Sequence, residues 1–281
     1  MPGAERFSVP VAGPARGDYQ DGVRTVRIAL LADVHGNTVA LDAALEAVAL
    51  RDVDAAVFLG DLAAGGPDPA GAVERIAAMD AVSVRGNTDD DLVRPPAWWA
   101  DPAAAGMSAG AQRLGAICSW GAGQLTVEHT RYLDTLPTTA KVPLGRAGRL
   151  LAFHGSPTGL RDVLTPTTPE QEVSAALGDA SHEFLVGGHS PTYASSPPVA
   201  GDHQPGQRRG PFSSYGSSGD VSVDTHAAFA LLEVLGDEWS VEFRQIAVDT
   251  ELMRHQATQS EMPHADWWLA LRGLEPGPPH E

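Results

Sequence analysis

Two short apolar runs, residues 28–32 and 55–59, and a third short strand-like stretch over 81–84, each lead into residues that carry ligand atoms. They run into Asp33-Val34-His35, Gly60-Asp61 and Gly86-Asn87-Thr88-Asp89. Helical spacing separates them: Leu41, Leu45 and Val48 recur across 38–50, and Asp68-Pro69 has the form of an N-cap followed by a first helical residue. A continuous apolar run of this length reads as a strand buried on both faces. Strands alternating with helices predict βαβ units and a largely parallel sheet. Such sheets collect their ligand chemistry at the carboxyl ends of the strands.

Each motif alone admits two readings. Asp33 would serve equally as a helix cap with His35 incidental, and Gly, Asn and Asp are turn residues. If the extended backbone persists through residues 33–35, Asp33 and His35 project to the same side, as two metal ligands would. Two later runs repeat the pattern. Residues 150–153 end in His154-Gly155-Ser156, and residues 184–186 end in Gly187-Gly188-His189. Turn propensity explains one such ending more easily than five in succession.

The remaining segments fill out an α/β domain. Residues 108–124 and 126–135 carry helical spacing inside an insertion spanning 92–135. Trp98, Trp99 and Trp120 in that insertion are expected to pack against the sheet, with base stacking as the alternative; His129 is expected at the surface. Residues 141–144 and 149–153 read as a hairpin around Gly145–Gly148, and 227–235 with 239–248 as a second. Thr168-Pro169-Glu170-Gln171 has the capping-box form ahead of a helix ending at Leu177. Short helices are expected over 251–259 and 266–272.

Charge narrows the function classes. The chain has 281 residues, 19 basic and 36 acidic, for a net charge of −17. That argues against sequence-independent nucleic-acid binding and against docking on anionic membrane. A small phosphorylated substrate remains compatible, because bound cations invert the local sign. Cys118 is the single cysteine, so an internal disulfide and a cysteine-rich zinc site are excluded; it is expected to be a buried small hydrophobe. No run approaches the roughly 20 apolar residues of a membrane span. With no signal-peptide core in the first 22 residues, a cytoplasmic location is the expectation.

The ordered set DVH (33–35), GD (60–61), GNTD (86–89), HG (154–155) and GH (188–189) resembles the calcineurin-like metallophosphoesterase superfamily. GDLAAGGPDP and WGAGQLTVEHTRYLDTLP look like its small prokaryotic YfcE-like and archaeal-type branch. The resemblance implies an α/β fold of two mixed β-sheets packed face to face and flanked by helices. It implies that Asp33 and His35 bind a first metal, that Asp61 bridges, and that Asn87, His154 and His189 bind a second. Asp61, Asn87, Asp89 and His154 would be the catalytic set, with Asp89 orienting its neighbours. The cofactors would be two divalent ions (Mn, Fe, Zn or Ni). The reaction would be phosphoester hydrolysis by a metal-bridging hydroxide, with a phosphodiester as the leading substrate. A metal-poor binding protein, or hydrolysis of phosphomonoesters or dinucleoside polyphosphates, is the alternative.

Two departures qualify the resemblance. Many members carry a His where this chain has Thr88, and threonine is no general acid near neutral pH. The family's last motif, G-H-x-H, reads Gly188-His189-Ser190-Pro191, and proline offers no donor atom to complete the first site. A weakened first site and reduced activity follow; His203 and His226 are candidate replacements that read more naturally as surface histidines. Codons chosen for 202–210 and read one base later give the family's N-P-G-S-V-G, and 189–191 likewise give Thr-His. Segment 190–210 is therefore either a frame-shifted stretch or a divergent loop. The expected organisation is a disordered tail over 1–24, a domain over 25–250, and a helical tail over 251–281.

Overall fold

The computed structural model of the chain describes residues 19–20, 23–101, 106–165, 167–180, 184–189, 214–215, 221–222 and 225–275. Pro191, His203 and the whole of segment 190–210 lie outside these residues, as do residues 1–18 and 21–22 of the expected tail over 1–24. Within the span expected to be tail, Tyr19–Gln20 pairs antiparallel with Val23–Arg24. The Arg24 guanidinium pairs with Asp54, whose carboxylate also accepts from the Arg27 N–H.

Eight strands build the two principal sheets: β1 (Val26–Leu31), β2 (Ala55–Phe58), β3 (Val82–Ser83), β4 (Thr139–Pro143), β5 (Arg149–Phe153), β6 (Phe184–Gly187), β7 (Ala227–Leu235) and β8 (Glu238–Ile246). The larger sheet has the order β8-β7-β1-β2-β3 and the smaller β4-β5-β6. Pairing is parallel for β1-β2, β2-β3 and β5-β6, and antiparallel for β7-β8, β7-β1 and β4-β5, so both sheets are mixed. The hairpins stand where expected, except that β8 begins at Glu238 and the turn shortens to Gly236-Asp237.

Alternation along β1 creates the layers. Ile28 and Leu30 face the small sheet and share a core with Val57, Val142, Leu150, Ala152 and Leu232. Ala29 and Leu31 face the other way, onto helices α1 (Thr38–Ala49) and α2 (Pro69–Ala77), through Leu41, Leu45, Val73 and Ile76. Each of the larger side chains contributes roughly 1.5–3 kcal/mol by leaving water. The predicted sheet-on-sheet arrangement with helical flanks is thus observed, and β1 lies at its centre.

Helix α3 (Asn87–Val93) follows β3 directly; α4 (Ala109–Gln124) and α5 (Val127–Thr135) form the insertion, with Ser108 and Thr126 as N-caps. Trp99 joins the sheet–helix core and Trp98 packs against it, as expected. Trp120 does not. It packs with Val39, Ile117, Met253 and Trp268 in a separate cluster against α7 (Thr250–Gln259) and α8 (Ala265–Ala270). His129 is also more than a surface residue. Its Nδ1 accepts from the Thr126 N–H at 3.3 Å, closing a capping box, and its Nε2 lies 3.3 Å from Glu74.

Thr168 is not the cap of α6 (Glu170–Leu177). Pro169 occupies that position, and Thr168 Oγ1 instead accepts from the Thr165 N–H at 2.8 Å. Proline's extended backbone, with φ −55° and ψ 141°, already supplies the turn into the helix. The C-terminal helices are tied inward: Trp268 Nε1 donates to Gly65 O at 2.8 Å. Among the described residues no helix is long and apolar enough to cross a membrane.

Candidate metal centre

Strand β1 ends at Leu31, and the extended backbone does not continue through the next three residues. Asp33 and His35 adopt positive φ, 54° and 49°. Both side chains still reach one site, because the turn is clamped to the loop after β2. The Asp33 N–H donates to Gly60 O at 3.0 Å, His35 N–H to Asp61 O at 2.9 Å and Gly36 N–H to Leu62 O at 3.0 Å. The cap of α1 is Asn37, whose side chain accepts from the Ala40 N–H at 3.2 Å. Asp33 is thereby free of the capping role.

Asp61 and His189 also hold positive φ, 56° and 59°. Four of the seven non-glycine residues with positive φ among the described residues therefore belong to this one site. Such a conformation costs on the order of 1 kcal/mol each and persists where surrounding bonds enforce it, commonly at functional sites. Two glycines let the loops approach. A Cβ on Gly86 would lie 2.1 Å from Asp61 Oδ1, and one on Gly60 would lie 2.6 Å from the Gly86 nitrogen.

The side chains converge in two groups, Asp33 with His35 and Asp61, and Asp61 with His154 and His189. Asp61 belongs to both. His35 Nε2 lies 3.9 Å from Asp33 Oδ1 and 3.7 Å from Asp61 Oδ2. His154 Nε2 lies 3.3 Å from Asp61 Oδ1, 3.0 Å from Asn87 Oδ1 and 3.1 Å from His189 Nδ1. Thus all six residues expected as ligands meet at the carboxyl ends of β1, β2, β3, β5 and β6.

Backbone carbonyls orient two imidazoles. His154 Nδ1 sits 2.7 Å from Leu59 O and His35 Nδ1 sits 2.8 Å from Ala64 O, which turns the Nε2 lone pair of each neutral ring into the site. The Asn87 amide stands with its oxygen inward, against nitrogens that in those tautomers are themselves acceptors. Reversing it would let the amide nitrogen donate to His189 Nδ1 at 2.9 Å and to His154 Nε2 at 3.0 Å. With its oxygen inward, Asn87 is satisfied by a proton on His154 Nε2 or by a cation among the lone pairs. Carboxylate, imidazole and amide oxygen form a donor set suited to Mn²⁺, Fe or Zn²⁺, so the residues present fit the metals expected.

Without a metal, protons take up part of this role. Burial disfavours protonated His154, but the Asp61 charge outweighs it and pushes the imidazole up to about 9. Burial would raise Asp61; the charge and hydrogen bond of His154 prevail, with help from His35 and the Thr88 N–H, and hold it below the usual carboxylate range. Burial and the Asp61 charge push Asp33 up to about 6. Burial and the neighbouring His154 lower His189.

Asp89 is fully buried one layer behind the ligands. Its carboxylate accepts from the N–H groups of Asp61 at 2.9 Å, Leu62 at 2.8 Å and Gly86 at 2.9 Å. It grips backbone and not the ligand cluster. Thr88 donates its N–H to Asp61 Oδ1 at 2.9 Å, and its buried Oγ1 has no partner among the described residues. His226 is exposed and shares a small cleft with Asp33. Sequence reasoning missed Arg161, which bonds Asp91 at 2.5 Å and brings Nη1 to 3.3 Å from the outer atom of the Asn87 amide. A basic residue seven positions after His154 was the available signal.

A family model described as calcineurin-like phosphoesterase matches residues 26–215. No curated protein sequence matches the chain. Among solved structures, a hypothetical protein from Pyrococcus horikoshii OT3 is 22% identical with a TM-score of 0.64, over 89% of this chain and 99% of that one. A metallophosphoesterase from Sphaerobacter thermophilus is 22% identical with a TM-score of 0.57, over 85% of this chain and 96% of that one. Both are likenesses of fold.

Proposed function

The chain belongs to the calcineurin-like phosphoesterase family, and from that premise we propose that it is a dinuclear metal-dependent hydrolase of small phosphodiesters. Asp33, His35 and Asp61 would hold one divalent ion, and Asp61, Asn87, His154 and His189 the other. The observation that carries this reading is the position of Asp61: Oδ2 faces His35 of one group and Oδ1 faces His154 of the other. A carboxylate with one oxygen in each group is placed to join two cations and to lessen their repulsion.

Bound there, two divalent ions supply an acidified water and polarise the phosphoryl oxygens. The chain's own residues set the geometry. Leu59 O and Ala64 O fix the tautomers of His154 and His35; Thr88 N–H and Asp89 fix Asp61 from either side. Thr88 supplies no acid for the leaving group, which favours substrates whose leaving oxygen needs little protonation, an aryl ester before an alkyl one. The first group has three ligands among the described residues, and Pro191 adds no donor atom, so the first ion is the weaker of the two.

The test uses the full chain stripped of metal and reloaded with Mn²⁺. An aryl phosphodiester should be hydrolysed faster than the matching monoester, and Asp61→Asn should abolish both activities. A loaded chain that binds phosphate and turns over neither substrate would favour the binding-protein reading.

A further inference from the structure

Among the described residues, Arg161 is a cationic group beside the expected metal ligands that those ligands leave unexplained. Arg161 lies in the loop that begins with His154, and that loop is built to hold it. Ser156, only 2% exposed, accepts from the N–H groups of Thr158 at 3.1 Å and Gly159 at 2.9 Å and donates to Asp162 at 2.5 Å. Its own N–H donates to Gly159 O at 2.8 Å. A Cβ on Gly155 would come within 2.7 Å of Gly159 O and Leu160 O, so the loop closes tightly on itself.

From that loop the Arg161 side chain returns toward α3. Nη2 donates to Oδ1 of Asp91, a carboxylate 8% exposed, at 2.5 Å. Nη1 stops 3.3 Å from the Asn87 amide, itself 3.0 Å from His154 Nε2. The side chain is 60% exposed, so part of the guanidinium faces outward. An arginine beyond the metal ligands would gain little from a surface ion pair, about 0–1 kcal/mol. A planar fork anchored by a largely buried carboxylate at the rim of a site for phosphoryl groups has a more specific use.

We propose that Arg161 is a substrate-binding residue that donates to a non-bridging oxygen of the phosphoryl group at the metal centre, with Asp91 as its positioning residue. The inference rests on the phosphoesterase reading above. It also locates where this chain places positive charge in a site that lacks a histidine at position 88. A guanidinium does not give up its proton, so Arg161 neutralises developing charge and is no substitute for a general acid.

The test measures binding of inorganic phosphate to the Mn²⁺-loaded full chain by calorimetry, with metal content followed by atomic emission. Arg161→Ala should bind phosphate about 10- to 100-fold more weakly at unchanged metal content. Arg161→Lys should recover part of the loss, since an ammonium lacks the fork. Asp91→Asn should weaken binding in the same direction by less. On the aryl diester, Arg161→Ala should raise KM and lower kcat together. Unchanged phosphate affinity in Arg161→Ala overturns the inference, and so does loss of metal, which would make Arg161 a support for Asn87. A loaded wild-type chain that neither binds phosphate nor hydrolyses a diester overturns the phosphoesterase reading itself. Wild-type hydrolysis with an indifferent Arg161→Ala overturns only the role of Arg161.

Discussion

Asp61 Oδ1 and His154 Nε2 lie 3.3 Å apart, with both side chains buried and each supported from behind by backbone. The carboxylate is held by the Thr88 N–H and its loop by Asp89; the imidazole is held by Leu59 O. This pair is the joint between the two sheets, because Asp61 follows β2 of the larger and His154 follows β5 of the smaller. A cation held by both side chains would also tie the two layers together.

Metal and proton therefore compete for the same lone pairs, with a defined pH dependence. In the metal-free protein His154 is raised from 6.5 to about 9 and Asp33 from 3.8 to about 6. A raised value means that the folded state holds the proton more tightly. The stability it contributes is complete below the unfolded value and is lost as pH rises through the folded one. Asp61, held below its ordinary value, contributes above 3.8 and loses this on acidification. With EDTA present, Tm should be highest at mildly acid pH and fall between pH 6.5 and about 9. Mn²⁺ should flatten that fall. Scanning calorimetry checks it; an EDTA-treated chain whose Tm rises over this interval contradicts the assignment.

Metal titration should show two unequal sites. The second group offers Asp61, Asn87, His154 and His189, and the first offers Asp33, His35 and Asp61. His35→Ala should remove the weaker binding step and leave the tighter one, while His154→Ala should weaken both, since Asp61 loses its partner. Calorimetric titration of Mn²⁺ into the stripped chain resolves the steps. Two sites of equal affinity in the wild type would refute the expected weakness of the first.

Gly86→Ala should lower metal affinity although it alters no ligand. The new methyl would meet Asp61 Oδ1 at 2.1 Å and the Asp61 nitrogen at 2.2 Å, so the loop carrying the shared carboxylate must shift. A displacement of this size should reduce activity by about 100-fold. Normal metal content and turnover in the variant would show that the two loops can separate without cost.

Asp89→Asn keeps the shape but removes a charge that serves four backbone N–H groups, those of Asp61, Leu62, Ala63 and Gly86. Hydrogen bonds to a charged acceptor contribute about 1.5–3 kcal/mol each, and an amide retains only part of this. A loss of roughly 2 kcal/mol is expected, read as a lower denaturant midpoint in the metal-free chain. A midpoint equal to wild type would mean that the loops hold Asp61 unaided.

Cys118 should be inert in the native protein. Burial pushes its thiol from 9.0 up to about 12, so thiolate is scarce at neutral and mildly alkaline pH. Disulfide reagents at pH 8 should label it only after unfolding. Rapid labelling under native conditions would reveal local opening of α4.

Much of the ligand set was legible because strand and ligand signals coincide. The strand-forming runs end at or within two residues of a glycine, aspartate or histidine, and pairing places those ends side by side. The backbone of Asp33 and His35 was not legible. Their positive φ is imposed by hydrogen bonds to residues 60–62, which no local pattern announces. The Arg161–Asp91 pair spans 70 positions and exists only once the two sheets have packed. Trp120 was misplaced for a similar reason: α4 presents Ile117 and Trp120 to C-terminal helices that show as separate, short stretches in sequence. Thr168 was misjudged because proline at the next position can itself act as the cap.

The bond from Trp268 Nε1 to Gly65 O changes what counts as the edge of this domain. Ala64, the next residue back, supplies the carbonyl that turns His35 Nε2 toward Asp33 and Asp61. A boundary drawn at residue 250 would retain every ligand and discard the brace behind one of them. The last helices thus act as a keystone set from outside, and shortening the chain there would detune the centre without touching it.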